Sequence, residues 1–274
     1  MATNGIVQED TAGVRLILID KPRTKNALTV AMRTDLCERL ADADRDNSIS
    51  AVVLSGRDPA FCAGIDFKER VDGYDPYWVQ FQPNPGSVLR AMTKPVIAAV
   101  NGPCVSGGLE MALSSSFILA SDRASFADTH ASLGVLPKWG LSALLPRAVG
   151  VRSAREMSLT GCFVGSKEAL AMGLVNRVVP HEKLLPKAVE LAGKCANTEA
   201  AVMLLSLLRS GEDLSLQAAL ALEARSQIKF DPDAFTREGS ALVAHQRVSG
   251  SRAQAPDAEG EVPAGEPTEE GCHE

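Results

Sequence analysis

One carboxylate, Glu110, follows two adjacent glycines in the stretch KPVIAAVNGPCVSGGLEMALSS, residues 94–115. The pattern predicts a short buried strand over Val96–Val100, a turn on Asn101-Gly102-Pro103, a loop of small residues, and a helix opening at Gly107-Gly108. Glycines at the start of a helix leave backbone N–H groups bare, with the positive end of the helix dipole behind them. That arrangement suits a fixed anion or an oxyanion that develops during a reaction. Glu110 falls in the first turn of this helix, within reach of whatever the amides hold. The same plan occurs about fifty residues earlier in AVVLSGRDPAFCAGID, residues 51–66. There an apolar run, Ala51 to Leu54, leads through Ser55-Gly56 into a small-residue loop. Two such loops, each contributing one N–H, can clamp a single carbonyl oxygen.

With FCAGID and NGPCVSGGLEMAL in combination, the chain resembles the crotonase superfamily, the enoyl-CoA hydratase/isomerase group, over roughly residues 6–247. The resemblance implies an α/β fold in which repeated ββα units wind into a spiral, with C-terminal helices that trimerise. It implies an acyl-CoA thioester as substrate, with coenzyme A part of that substrate and no separate cofactor. The thioester carbonyl is then expected between the amides of Ala63 and Gly107. Contacts to coenzyme A are expected from the loop Pro22–Leu28, with Arg23, Lys25 and Ala27, and from Ala63, Gly64, Ile65, Asp66 and Gly108. Arg23 and Lys25 would meet phosphates as point charges.

Hydratases of this family use two glutamates to add water across a double bond. Glu110 matches the first, and the second position falls on His130. An imidazole titrates near neutrality and can act as acid or base there. Asp128, two residues earlier, either orients that ring or caps its loop. The expected activity is addition of water to a 2-enoyl-CoA, a lyase reaction of fatty-acid and lipid metabolism. The alternatives are a double-bond isomerase, a crotonase-type acyl-CoA hydrolase, and an acyl-CoA-binding assembly protein without chemistry. A scaffold has no need of a carboxylate beside a helix N-terminus, which favours an enzyme. In the family the last helix offers an aromatic residue and a lysine to the neighbouring subunit's CoA. Here Val243 and Gln246 stand at those positions, with Arg247 adjacent.

The elements that must hold these groups follow from the periodicity. Strands are expected over Gly13–Ile19, Ala51–Leu54, Val96–Val100, Phe117–Ala120 and Leu174–Val179. Thr29 is expected to cap a helix to about Ala43, Ser166 a short helix stopped by Gly173, and a longer helix begins near Leu141. From His181 onward the pattern is helical. Residues 68–90 lack a clean period and carry Pro76, Pro83 and Pro85. Half of the twelve aromatic residues fall between 61 and 81. Phe67, Tyr74, Tyr77 and Trp78, with Trp139, are expected to line an acyl pocket. The expected division is an α/β core at 1–195, a helical region at 196–249 and a disordered acidic tail at 250–274.

Charge and cysteine usage exclude other classes. The formal charge of −6 lies in the tail, where residues 250–274 hold seven acids and one base, leaving 27 of each sign in the rest. No basic field is present to attract nucleic acid, and no apolar run reaches the eighteen residues a membrane span needs. Six scattered cysteines (37, 62, 104, 162, 195 and 272), with no paired spacing and no recognisable leader, predict reduced thiols in a cytoplasmic protein. Cys62 and Cys104 flank the proposed loops and read as small buried hydrophobes. The four histidines lack ligand spacing, so no metal site is expected. A homotrimer or a dimer of trimers is the expected assembly, free of nucleic acid and membrane.

Overall fold

The computed structural model describes residues 5–69, 82–195 and 198–228. Residues 1–226 make one compact unit, which includes both helices beyond residue 195; of the remainder, 227–274, only 227 and 228 are described. Tyr74, Tyr77, Trp78, Val243, Gln246, Arg247 and the acidic tail therefore lie outside the described residues.

A six-stranded sheet forms the body. In chain order its strands are β1 (Ile6–Thr11), β2 (Val14–Ile19), β3 (Ala51–Gly56), β4 (Val96–Val100), β6 (Phe117–Ser121) and β9 (Arg177–Val179), and they lie side by side in that order. β1 and β2 form an antiparallel hairpin, and every later neighbour pairs in parallel. A small second sheet holds β5 (Pro103–Val105), β7 (Ser125–Ala127) and β8 (Val164–Gly165).

β3 and β4 are buried along their whole length. That is why they read as unbroken apolar runs: both faces of a parallel sheet are covered, and alternate residues serve opposite faces. Val52, Leu54, Val96, Ala98 and Val100 enter the larger core. Ala51, Val53, Ile97 and Ala99 enter a second cluster with Leu184, Ala188 and Ala192 of a covering helix, Leu184–Ala192.

The remaining helices are α1 (Val30–Arg45), α2 (Pro85–Ala91), α3 (Gly107–Ser114), α4 (Leu141–Thr160), α5 (Ser166–Ala171), α6 (the covering helix, Leu184–Ala192), α7 (Glu199–Gly211) and α8 (Leu216–Arg225). Thr29 caps α1 as expected, its hydroxyl accepting from the Met32 N–H at 3.2 Å, and Met32, Leu36, Leu40 and Ala43 form the buried stripe. α4 is two helical segments meeting at Gly150 (φ 78°).

Four expectations shift. β1 carries no clear alternation, with only Ile6 buried, and is recruited by the hairpin turn at Ala12-Gly13. α2 was concealed by its prolines, although Pro85 at the first helical position starts a helix, and the Asn84 side chain caps it by accepting from Ser87 N–H at 3.0 Å. Ser166 is the first residue of α5 rather than its cap, because its hydroxyl donates to the Asp122 carbonyl. The last strand starts at Arg177, since Leu174 and Val175 turn into the core.

Candidate active site

Three loops meet at the mouth of α3. The segments 21–28 and 61–66 are zipped together by Ala63 N–H to Lys25 O, Leu28 N–H to Gly64 O and Asp66 N–H to Leu28 O. The second is joined to β5 by the amides of Phe61 and Cys62 on Pro103 O and by Val105 N–H on Cys62 O. Asn26, fully buried with φ 60°, locks the junction: its Nδ2 donates to Arg57 O and Ala60 O at 2.7 and 2.6 Å, while its Oδ1 accepts from Lys21 N–H. Gly64 and Gly107 touch, since a Cβ built on Gly107 would lie 3.3 Å from the Gly64 Cα.

This wiring corrects one expected donor. The Ala63 N–H is spent on Lys25 O at 3.0 Å and faces away from an oxyanion. The pairing of Leu28 with both neighbours of Ile65 turns the Ile65 N–H to the other side, and among the described residues it has no acceptor. The same holds for the Gly107 N–H. Ser106 sits at the cap position of α3 with φ 47°, yet caps nothing. Its hydroxyl lies 2.8 Å from the Thr129 hydroxyl and accepts from the Thr129 N–H, so the helix start stays open.

Glu110 is 2 % exposed, and one of its oxygens is fixed by backbone. Oε1 accepts from Trp139 N–H at 2.6 Å and from Leu141 N–H at 3.2 Å, at the entry to α4. Oε2 faces His130 Nε2 at 3.7 Å, beyond direct hydrogen bonding. Burial raises the Glu110 carboxyl above its ordinary value, against the pull of His130 and the two amides.

His130 is 7 % exposed, and its Nδ1 lies 2.6 Å from Asp128 Oδ1, which also accepts the His130 N–H at 3.2 Å. Burial alone would raise the Asp128 carboxyl; the hydrogen bonds from His130 and Ser158 outweigh it and hold Asp128 below the usual range. An ionised Asp128 places the ring proton on Nδ1, so in the neutral ring Nε2 is an acceptor directed at Glu110. Asp128 thus both orients the ring and ties its loop.

Other expected residues fall in different places. Arg23 and Lys25 are exposed on the turn beside the zipped loops, and Ala27 is buried behind them. Asp66 pairs with Lys21 at 2.8 Å. Phe67 is half exposed, whereas the Trp139 ring is buried, under the Gly107 Cα and 5.9 Å from Arg33. Trp139 enters the site through its peptide N–H, a role with no sequence signal because every residue but proline has that group. Cys62 and Cys104 are fully buried, their thiols pushed up by burial, Cys62 to about 12. Both pack in the larger core.

The chain is similar to known proteins in sequence and in fold. The family described as enoyl-CoA hydratase/isomerase matches residues 9–247. The chain belongs to this crotonase family. A relative from Arabidopsis thaliana, named a probable peroxisomal enoyl-CoA hydratase 1, is 35 % identical over 219 residues, covering 79 % of this chain and 83 % of the relative. A solved enoyl-CoA hydratase from Mycobacterium avium superposes with TM-score 0.69 at 38 % identity, covering 91 % of this chain and all of that one. Another from Bacillus anthracis gives TM-score 0.73 at 30 % identity, covering 91 % and 95 %. Among the described residues of this crotonase-family chain, no helix is long and apolar enough to cross a membrane.

Proposed function

We propose that the protein is an enoyl-CoA hydratase in which His130, backed by Asp128, replaces the second glutamate of the pair. The observation that carries the reading is the line Asp128–His130–Glu110, with one Glu110 oxygen pinned and the other facing the imidazole. A gap of 3.7 Å between Oε2 and Nε2 suits one water, which can stand at hydrogen-bond distance from both atoms. Nε2 accepts the water's proton as its oxygen bonds to the β-carbon, and Asp128 stabilises the imidazolium. Glu110, whose carboxyl burial raises above its ordinary value, delivers a proton to the α-carbon. The enolate oxygen that forms in between rests on the amides of Ile65 and Gly107. A proton passing from Nε2 back to Oε2 resets the site.

Arg23 and Lys25 stand at the rim as partners for the phosphates of coenzyme A. α7 and α8 contribute no buried residue and expose Val202, Leu204, Leu208, Leu216 and Leu220, which supports self-association as a homotrimer or a dimer of trimers. The five described cysteines are all free, in keeping with a reducing compartment.

The test is an acyl-CoA panel read by mass spectrometry with wild-type enzyme and Glu110→Gln. Gain of water that falls by about two to four orders of magnitude in the variant, with affinity held within a few-fold, is the expected result. An isobaric product would make it an isomerase, free coenzyme A a hydrolase. Binding without conversion would leave an assembly protein.

A further inference from the structure

We propose that Arg90, on α2, is a positioning residue for Glu110, acting as a clamp that fixes both the helix carrying the carboxylate and the peptide that pins it. Its Nη1 donates to Trp139 O at 2.6 Å and to Ser114 Oγ at 2.8 Å. Each partner leads to Glu110 in one further step. The Trp139 N–H holds Oε1 at 2.6 Å, and the Ser114 hydroxyl donates to the Glu110 carbonyl at 2.7 Å. One guanidinium nitrogen therefore ties the side chain and the main chain of Glu110 to a third element.

The surroundings leave room for this nitrogen. A Cβ on Gly86 would lie 2.7 Å from Trp139 O and 3.2 Å from Nη1, and one on Gly140 would lie 3.0 Å from Nη1. Both positions leave the clamp room by having no side chain. Arg90 reaches solvent through two cavities away from the α3 mouth, of about 530 and 350 Å³, the second also lined by Arg147 and Arg209. The charged groups that shift Glu110 are His130 and Asp128 from their own segment, and Glu110 in turn acts on the Arg90 guanidinium on α2.

The role rests on Glu110 being the acid of the proposed reaction, so the test needs a readout that does not depend on turnover. Loss of Arg90 removes a neighbouring cation and slackens the Trp139 amide, and both changes favour the protonated carboxyl. In Arg90→Gln the infrared carboxyl band of Glu110, isolated by subtracting Glu110→Gln, is expected to titrate at higher pH than in the wild type. Turnover is expected to fall roughly 10- to 100-fold, as for a catalytic group displaced by about an ångström, with KM within a few-fold. Arg90→Lys, which keeps the charge but not the planar guanidinium, should restore the titration midpoint and only part of the rate; if Arg90→Gln does not fold, Arg90→Ala replaces it, with the Glu110 titration shifted without guanidinium and restored with it. Low millimolar guanidinium, entering the 350 Å³ cavity, should rescue Arg90→Ala but not Ser114→Ala. An unchanged Glu110 titration in Arg90→Gln overturns the clamp even if no enoyl thioester is ever turned over. A shifted titration with no hydration on the panel keeps the clamp and rejects the hydratase.

Discussion

Gly108→Ala is the sharpest probe of how closely the oxyanion loops must approach. A methyl group there would stand 2.2 Å from Cys62 O and 3.0 Å from the Cys62 carbonyl carbon and Cβ. Ordinary contact begins about 1 Å further out, and the obstacle is backbone, so no rotamer relieves it. α3 and the loop of Cys62 must therefore separate by about that distance. Overpacking of this kind costs about 1 to 3 kcal/mol, which for a unit of this size lowers Tm by roughly 2 to 10 °C. The catalytic loss should be larger than the structural one. The loop of Cys62 carries the Ile65 amide and α3 carries the Gly107 amide, so the gap opens across the oxyanion. Misplacement by about 1 Å costs on the order of 100-fold in rate. Calorimetry and hydration rate, measured on the same preparation, check both numbers. Wild-type turnover in a folded Gly108→Ala protein would refute the idea that these two amides act as a pair.

Four further outcomes follow from the same geometry. Because burial raises the Glu110 carboxyl in the folded state, its ionisation opposes folding as pH climbs past the ordinary carboxylate value; Glu110→Gln should match wild type in Tm near pH 4 and exceed it increasingly toward neutrality. Asp128 is held low, so its contribution to stability is present above the ordinary value and is lost as pH falls through its folded value; Asp128→Asn should remove that acid-side loss and also slow hydration, while His130→Ala should abolish most turnover. Iodoacetamide should label exposed Cys162 without loss of rate and reach Cys62 and Cys104 only on unfolding, as mass mapping would show.

The strands and the glycine helix were legible because they rest on composition: β3 and β4 are apolar on both faces, and Gly107-Gly108 is needed where two backbones touch. Glu110 and His130 were legible as side-chain types at motif positions. The oxyanion donor was not. Ala63 and Ile65 both offer an N–H, and only the pairing across to Leu28 and Lys25 decides which one is free. Trp139 looked like a pocket aromatic because it is large, but its ring is buried core and its peptide does the work. Arg90 gave no signal at all, since its partners are a carbonyl 49 residues away and a serine 24 residues away.

Glu110 and His130 are held by different groups: the first by two backbone amides at the entry to α4 and the second by the Asp128 carboxylate on its own loop. The two halves of the proposed acid–base pair therefore have separate direct anchors. A replacement at position 130 changes what stands opposite the glutamate while the anchors of the glutamate stay in place. The scaffold behaves as a socket with one fixed and one exchangeable contact, and a lineage can explore new reactions through the exchangeable one without first losing the old carboxylate.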